Sequence, residues 1–142
     1  MRICFDLDDT LCYGKPYEIA QPIPGRADLL RELRSEGHVI IISTARFMST
    51  CNSNIGEVIK EVGMLTLEQL DLWDFEYDEI HFGKPSADLY VDDKAFHVSC
   101  MANIKNVLNV IQAQKDAIDY NVKTQCDKIQ KLVEKIDLMQ EK

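Results

Sequence analysis

Four short clusters in this chain carry side chains able to do chemistry: Asp6-Leu7-Asp8-Asp9-Thr10, Ser43-Thr44-Ala45-Arg46, Gly83-Lys84 and Asp92-Asp93. Each follows a strongly apolar run. Brought together, they would make a pocket of several carboxylates and hydroxyls with one ammonium. Carboxylates at that density repel one another unless a hard cation sits among them. Mg²⁺ is the natural candidate, because it takes oxygen ligands and keeps waters for an anionic substrate. Lys84 would neutralise charge that the metal does not reach.

The elements that must position these clusters can be read from the apolar pattern. Arg2–Leu7 is an apolar run ending in carboxylates, and His38–Ile42 is an almost pure β-branched run, as in a strand buried on both faces. Glu79–Phe82 and Leu89–Val91 read as two further short strands. Ala27–Glu36 is helical, with Leu29, Leu30 and Leu33 on one face and Gly37 as its stop. Ile55–Val62 and Leu67–Trp73 read as two short helices. Turn signals at Tyr13-Gly14-Lys15-Pro16 and Pro22-Ile23-Pro24-Gly25 mark a loop after the first strand. Strands alternating with helices predict a mostly parallel sheet, whose ligand site lies at the carboxyl ends of its strands. All four clusters fall at such ends.

Composition narrows the class. With 142 residues and 46% hydrophobic side chains, the chain can build one core and an appendage. No stretch has the eighteen or so apolar residues of a membrane span, so the reading is of a cytoplasmic protein. Five cysteines without a Cys-x-x-Cys pair argue against both a disulfide framework and structural zinc. The net charge is −8, and its excess lies in residues 1–100, with 18 acidic and 9 basic side chains. An acidic domain repels a polyanion, so nucleic acid is not an expected partner.

The clusters now support a family resemblance. Asp6-Leu7-Asp8-Asp9-Thr10-Leu11 after an apolar strand resembles the first motif of the haloacid dehalogenase superfamily. Ser43-Thr44-Ala45-Arg46 resembles its second, Lys84 in Gly83-Lys84-Pro85 its third, and Val91-Asp92-Asp93 its fourth. One such motif alone is weak, but four in order over residues 1–100 are specific. More narrowly, Ile42–Arg46, Tyr77–Pro85 and Tyr90–Ala95 resemble small phosphatases of that superfamily linked to bacterial capsule and surface-polysaccharide synthesis. The resemblance implies a Rossmann-like sheet with helices on both faces, and a phosphohydrolase acting on a small phosphorylated substrate, a sugar phosphate among the candidates. It implies Asp6 as nucleophile and Asp8 as general acid and base. Thr44 becomes the phosphoryl ligand, with Ser43 as the open alternative, and Lys84 the electrostatic partner. The Mg²⁺ ligands would be Asp6, the Asp8 carbonyl and Asp92, with Asp93 bound through water or orienting from behind. Arg46 is read as a substrate contact, against a surface ion pair.

Plainer readings stand beside these. Asp6–Asp9 could be an acidic turn capping a helix, a reading the other three clusters speak against. His38, His81 and His97 pair with nothing that would make a metal site. One feature departs from the family pattern. Only seven residues separate Lys84 from Asp92, whereas a parallel crossover needs about a dozen. Either that link is an extended traverse or Glu79–Phe82 is not an ordinary sheet strand.

About thirty residues separate successive motifs in the first half, too few for a cap domain. Beyond the domain of residues 1–100, the segment 101–142 places Ile104, Leu108, Ile111, Lys115, Ile118, Val122, Cys126, Ile129, Val133 and Ile136 at steps of four and three. This a/d seam, with one stutter at Val122, predicts a long coiled-coil-like helix and a homo-oligomer. The alternatives are a helical hairpin folded back on the sheet, or a connector to a missing partner domain. Two other functions compete with the hydrolase: a scaffold with a vestigial catalytic head, and a phospho-accepting receiver domain, whose residue order differs.

Overall fold

The computed structural model of the chain describes residues 1–90 and 94–140, with side chains described as far as 131. The chain divides into two units, Met1–Val91 and Asp92–Lys142. In chain order, the first unit holds β1 (Arg2–Asp6), β2 (Cys12–Tyr13), a 3₁₀ turn (Tyr17–Ile19), β3 (Gln21–Pro22), α1 (Arg26–Ser35) and β4 (Val39–Thr44). It continues with α2 (Ile55–Val58), a π-helical turn (Ile59–Gly63), α3 (Met64–Leu72) and β5 (Glu79–Phe82). The second unit holds a 3₁₀ turn (Val98–Asn103) and α4 (Ile104–Gln140).

Strands β1, β4 and β5 form a three-stranded parallel sheet in the order β1-β4-β5. β4 is central because it is the most β-branched segment of the chain, and its residues alternate between half-buried and buried. Phe5, Ile40, Ile42 and Thr44 are buried on one face of the sheet. On the other face Cys4 is exposed, and Val39, Ile41 and Glu79 are only partly covered. Burial is thus one-sided, where a sheet wrapped by helices on both faces would bury two.

Helix α1 buries Leu30 and Leu33, and its end is closed by Gly37 at φ 83°, whose N–H donates to the Arg34 carbonyl. A residue with a Cβ is strained in that conformation. The segments expected as two separate helices run on as one from Ile55 to Leu72 through the π turn. Val58, Val62, Thr66 and Leu70 are all fully buried at successive spacings of four. In a regular α-helix three such steps drift well off one face; the wider winding of Ile59–Gly63 takes up the difference.

The start of β5 is fixed by Asp78. Its N–H donates to the Ile40 carbonyl and its Oδ2 accepts from the Ile40 N–H, both at 2.8 Å, while Arg34 Nη2 lies 2.9 Å from Oδ1. These bonds, the Ile40 amide first and Arg34 second, hold its carboxyl below the ordinary carboxylate range. A depressed folded-state value means stability that is present above the unfolded value and lost as pH falls through the folded one. Asp78→Asn is therefore expected to flatten the acid limb of a stability–pH curve, read by urea unfolding from about pH 6 down to about pH 3.

Two expectations need correction. Leu89–Tyr90 is not a strand, and Val91 lies outside the described residues, so the sheet has three described strands rather than four. Residues 12–22, expected as a plain loop, carry the β2–β3 hairpin, with Cys12 opposite Pro22. In the second unit, α4 is one continuous helix of 37 residues, which removes the folded-back hairpin. No described helix is long and apolar enough to cross a membrane.

Candidate active site

Three of the four predicted clusters meet at the carboxyl end of the sheet. Asp6 closes β1 in register with Ser43 of β4 and, beyond it, His81 of β5. After Asp6 the chain tightens, because the Leu7 carbonyl accepts from the N–H groups of Leu11 at 2.8 Å and Cys12 at 3.1 Å. Asp9 takes φ 60°, a left-handed conformation that Asp tolerates better than most residues. Asp6 thereby stands just before a bend of residues 7–12 that contains Asp8, and Arg26 at the start of α1 pins that bend by donating to the Thr10 carbonyl at 3.0 Å.

Lys84 reaches Asp6 across the end of β4. Its backbone N–H donates to the Thr44 carbonyl at 3.2 Å, and its Nζ lies 2.9 Å from Asp6 Oδ1. Gly83 makes this approach possible. It adopts φ 102°, and a Cβ there would meet the Ile55 side chain at 2.9 Å. The Tyr90 ring lies 4.4 Å from the Lys84 ammonium, and the Tyr90 hydroxyl donates to the Pro85 carbonyl. The link after β5 is therefore a turn folded back over Lys84. Of the two explanations offered for its short length, an irregular β5 is excluded, since β5 pairs with β4 in ordinary parallel register.

Asp8 is held by Arg46. Arg46 Nε donates to Oδ1 at 3.0 Å and to Oδ2 at 3.1 Å, and Nη2 lies 2.9 Å from Oδ1. The Arg46 side chain is 0% exposed, so it occupies neither a substrate-facing position nor a surface ion pair. Arg46 and Asp8 were each singled out by sequence, but their pairing was not. Cys12 Sγ also lies 3.6 Å from Asp8 Oδ1. Burial, and then the charge of Asp8, push the Cys12 thiol up to about 12, so it is a packed group rather than a nucleophile.

Thr44 is buried, and its Oγ1 accepts from the Arg46 N–H at 3.1 Å. Ser43, half-buried, is the hydroxyl that stands beside Asp6 in the register. Asp92 and Asp93 lie outside the described residues. Among the described residues no three His, Cys, Asp or Glu side chains cluster as a metal site. The donors present still suit a hard cation, since Asp6 keeps 33% of its side chain exposed beside Lys84 and Asp8 keeps 23%.

The fold has a structural counterpart. A crystal structure of a structural-genomics target from Vibrio cholerae matches the chain with a TM-score of 0.71 and 32% identity, over 80% of this chain and 98% of that one. The chain belongs to the family of that Vibrio cholerae protein. The kinship covers the fold without assigning a reaction. No protein-family model matches the chain, and no curated protein matches it.

Proposed function

We propose that this member of the family is a Mg²⁺-dependent phosphate-monoester hydrolase that works through an aspartyl-phosphate on Asp6. The observation that carries the reading is the 2.9 Å contact between Lys84 Nζ and Asp6 Oδ1, two side chains 78 positions apart at strand ends. A carboxylate and an ammonium exposed together at the carboxyl edge of a parallel sheet suit binding of an anionic phosphoryl group. The Rossmann-like reading of the sheet goes with this proposal.

In the proposed reaction, Asp6 Oδ2 attacks phosphorus in line while Lys84 holds Oδ1 and offsets charge on the phosphoryl oxygens. The bond from phosphorus to the ester oxygen breaks, and that oxygen takes a proton from Asp8. Oδ1 of Asp8 accepts twice from Arg46, whereas Oδ2 shares only the Nε proton. Oδ2 is therefore the oxygen that carries the proton. Water then attacks the phosphorus of the aspartyl-phosphate, Asp8 takes its proton, and the bond from phosphorus to Asp6 breaks to release inorganic phosphate. Bound Mg²⁺ would supply charge stabilisation at the phosphoryl oxygens, held among the described residues by Asp6 and the Asp8 carbonyl. Ser43 or Thr44 supplies a hydrogen bond to the phosphoryl group, and the register favours Ser43. A sugar phosphate is the substrate class the narrower family resemblance favours. The test is steady release of phosphate from p-nitrophenyl phosphate with Mg²⁺ and its loss on chelation. A chain that turns over nothing with the metal present would end the proposal.

The second unit supports self-association. Helix α4 is about 55 Å long at 1.5 Å per residue. Ile111, Ile118, Val122 and Ile129 are exposed along it at seam positions. The occupant proposed for this stripe is a second copy of the chain. Amides, among them Gln112, Gln114, Asn121 and Gln125, are the commonest residues at the flanking e and g positions, which keeps charged contacts between identical helices few. Replacing Ile111, Ile118 and Ile129 with Asp in the full chain is expected to reduce the mass measured by light scattering to that of a monomer. An unchanged mass would remove the interface.

A further inference from the structure

The Arg46 guanidinium is enclosed on every side by groups of different elements. Besides Asp8, its Nη1 donates to Thr66 Oγ1 at 3.2 Å and to Gln69 Oε1 at 2.7 Å, both on α3. Its Nη2 lies 3.4 Å from Cys12 Sγ in the β2–β3 hairpin, and its plane sits 4.8 Å from the centre of the Tyr17 ring. The directions of these bonds are fixed. The Thr66 hydroxyl donates to the Val62 carbonyl at 2.8 Å, which leaves its oxygen to accept from Arg46. The Gln69 amide donates to the Tyr17 carbonyl at 2.6 Å, which turns its oxygen toward Arg46. Thr66 and Gln69 are themselves buried, at 0% and 6% exposure. A buried guanidinium with five donors therefore faces one carboxylate and three neutral acceptors, the third being Cys12 Sγ.

We infer that Thr66 and Gln69 are positioning residues that act through Arg46 to fix the carboxyl of Asp8, and that Gln69 couples this carboxyl to the hairpin through Tyr17. The inference rests on the hydrolase reading above. All three acceptors are neutral, so Asp8 has no rival for the guanidinium, and the bonds to Thr66 and Gln69 set which edge of Arg46 it meets. With that edge fixed, Oδ2 of Asp8 stays in place for proton transfer, a step that contributes on the order of 10²–10⁴-fold where the leaving oxygen needs a proton.

Leaving-group dependence separates this role from ordinary structural support. Gln69→Glu keeps an acceptor for Arg46 but adds a rival carboxylate and removes the donor to Tyr17. Thr66→Val, a smaller change, removes one acceptor and guards against a variant that fails to fold. Both are compared with the unaltered chain on glycerol 2-phosphate, whose leaving alkoxide needs a proton, and on p-nitrophenyl phosphate, whose leaving group does not. Gln69→Glu is expected to lower kcat/KM on glycerol 2-phosphate roughly 10- to 100-fold and on p-nitrophenyl phosphate less than about 3-fold, and Thr66→Val to shift both in the same sense by less. Equal losses on the two esters, or none, would overturn the positioning role alone. An unaltered chain that hydrolyses neither ester would overturn the hydrolase reading and this inference with it.

Discussion

Asp6→Asn is expected to lower Mg²⁺-dependent phosphate release by on the order of 10⁴-fold, the scale of losing a nucleophile that acts as a unit with its partners. The amide keeps the shape of the carboxylate but has no anionic oxygen with which to attack phosphorus. The fold should survive the change. Asp6 keeps a third of its side chain exposed, and its described ion pair, to Lys84, is a half-exposed contact of the kind that contributes little to stability. Unchanged urea unfolding with lost turnover is therefore the expected pair of results. Activity retained in the variant would show that the nucleophile lies elsewhere. The same assay separates the rival functions. A receiver domain would label once on Asp6 without releasing phosphate, and a scaffold with a vestigial head would do neither.

Arg46→Ala is expected to cost stability before it costs anything else, by about 3–5 kcal/mol, as removal of one partner of a buried ion pair does. The substitution leaves the Asp8 carboxylate and the acceptors of Thr66 and Gln69 facing a void where a fully buried guanidinium had been. The effect should be visible as a large fall in the urea midpoint at unchanged slope. A double-mutant cycle with Asp8→Asn should return a coupling of roughly 1–3 kcal/mol, since the two groups touch directly. A loss below about 1 kcal/mol would be the signature of a surface pair and would contradict the enclosure of Arg46.

Much of the fold was legible in the sequence because its elements obey local rules. The β-branched run of β4 and the Leu30/Leu33 face of α1 with Gly37 behind it each follow from periodicity and backbone chemistry within a few residues. Asp6 and Lys84 were legible as a pair because both sit at strand ends, and a parallel sheet brings strand ends together. The Arg46–Asp8 pair was not. Arg46 looks like a surface residue by type, and its burial depends on Thr66 and Gln69, 20 and 23 positions away on a helix whose inward face is set by a π turn. The hairpin of Cys12–Tyr13 with Gln21–Pro22 was hidden for a related reason. Each strand is two residues long, too short for alternation to register, and one of them contains a proline. The one-sided burial of the sheet likewise depends on tertiary covering that no strand pattern encodes.

The wide turn at Ile59–Gly63 gives the helix of residues 55–72 a reading frame. One residue more than an ordinary helix would use lies between Val58 and the stretch that holds Thr66 and Gln69. Losing one of those five positions would restore regular winding and leave everything downstream in its present direction, whereas adding one in regular winding would swing it through about 100°. Thr66 and Gln69 would then point away from Arg46, although no side chain near Asp8 had been altered. Relatives that add a residue here should therefore also have changed the residue at position 46.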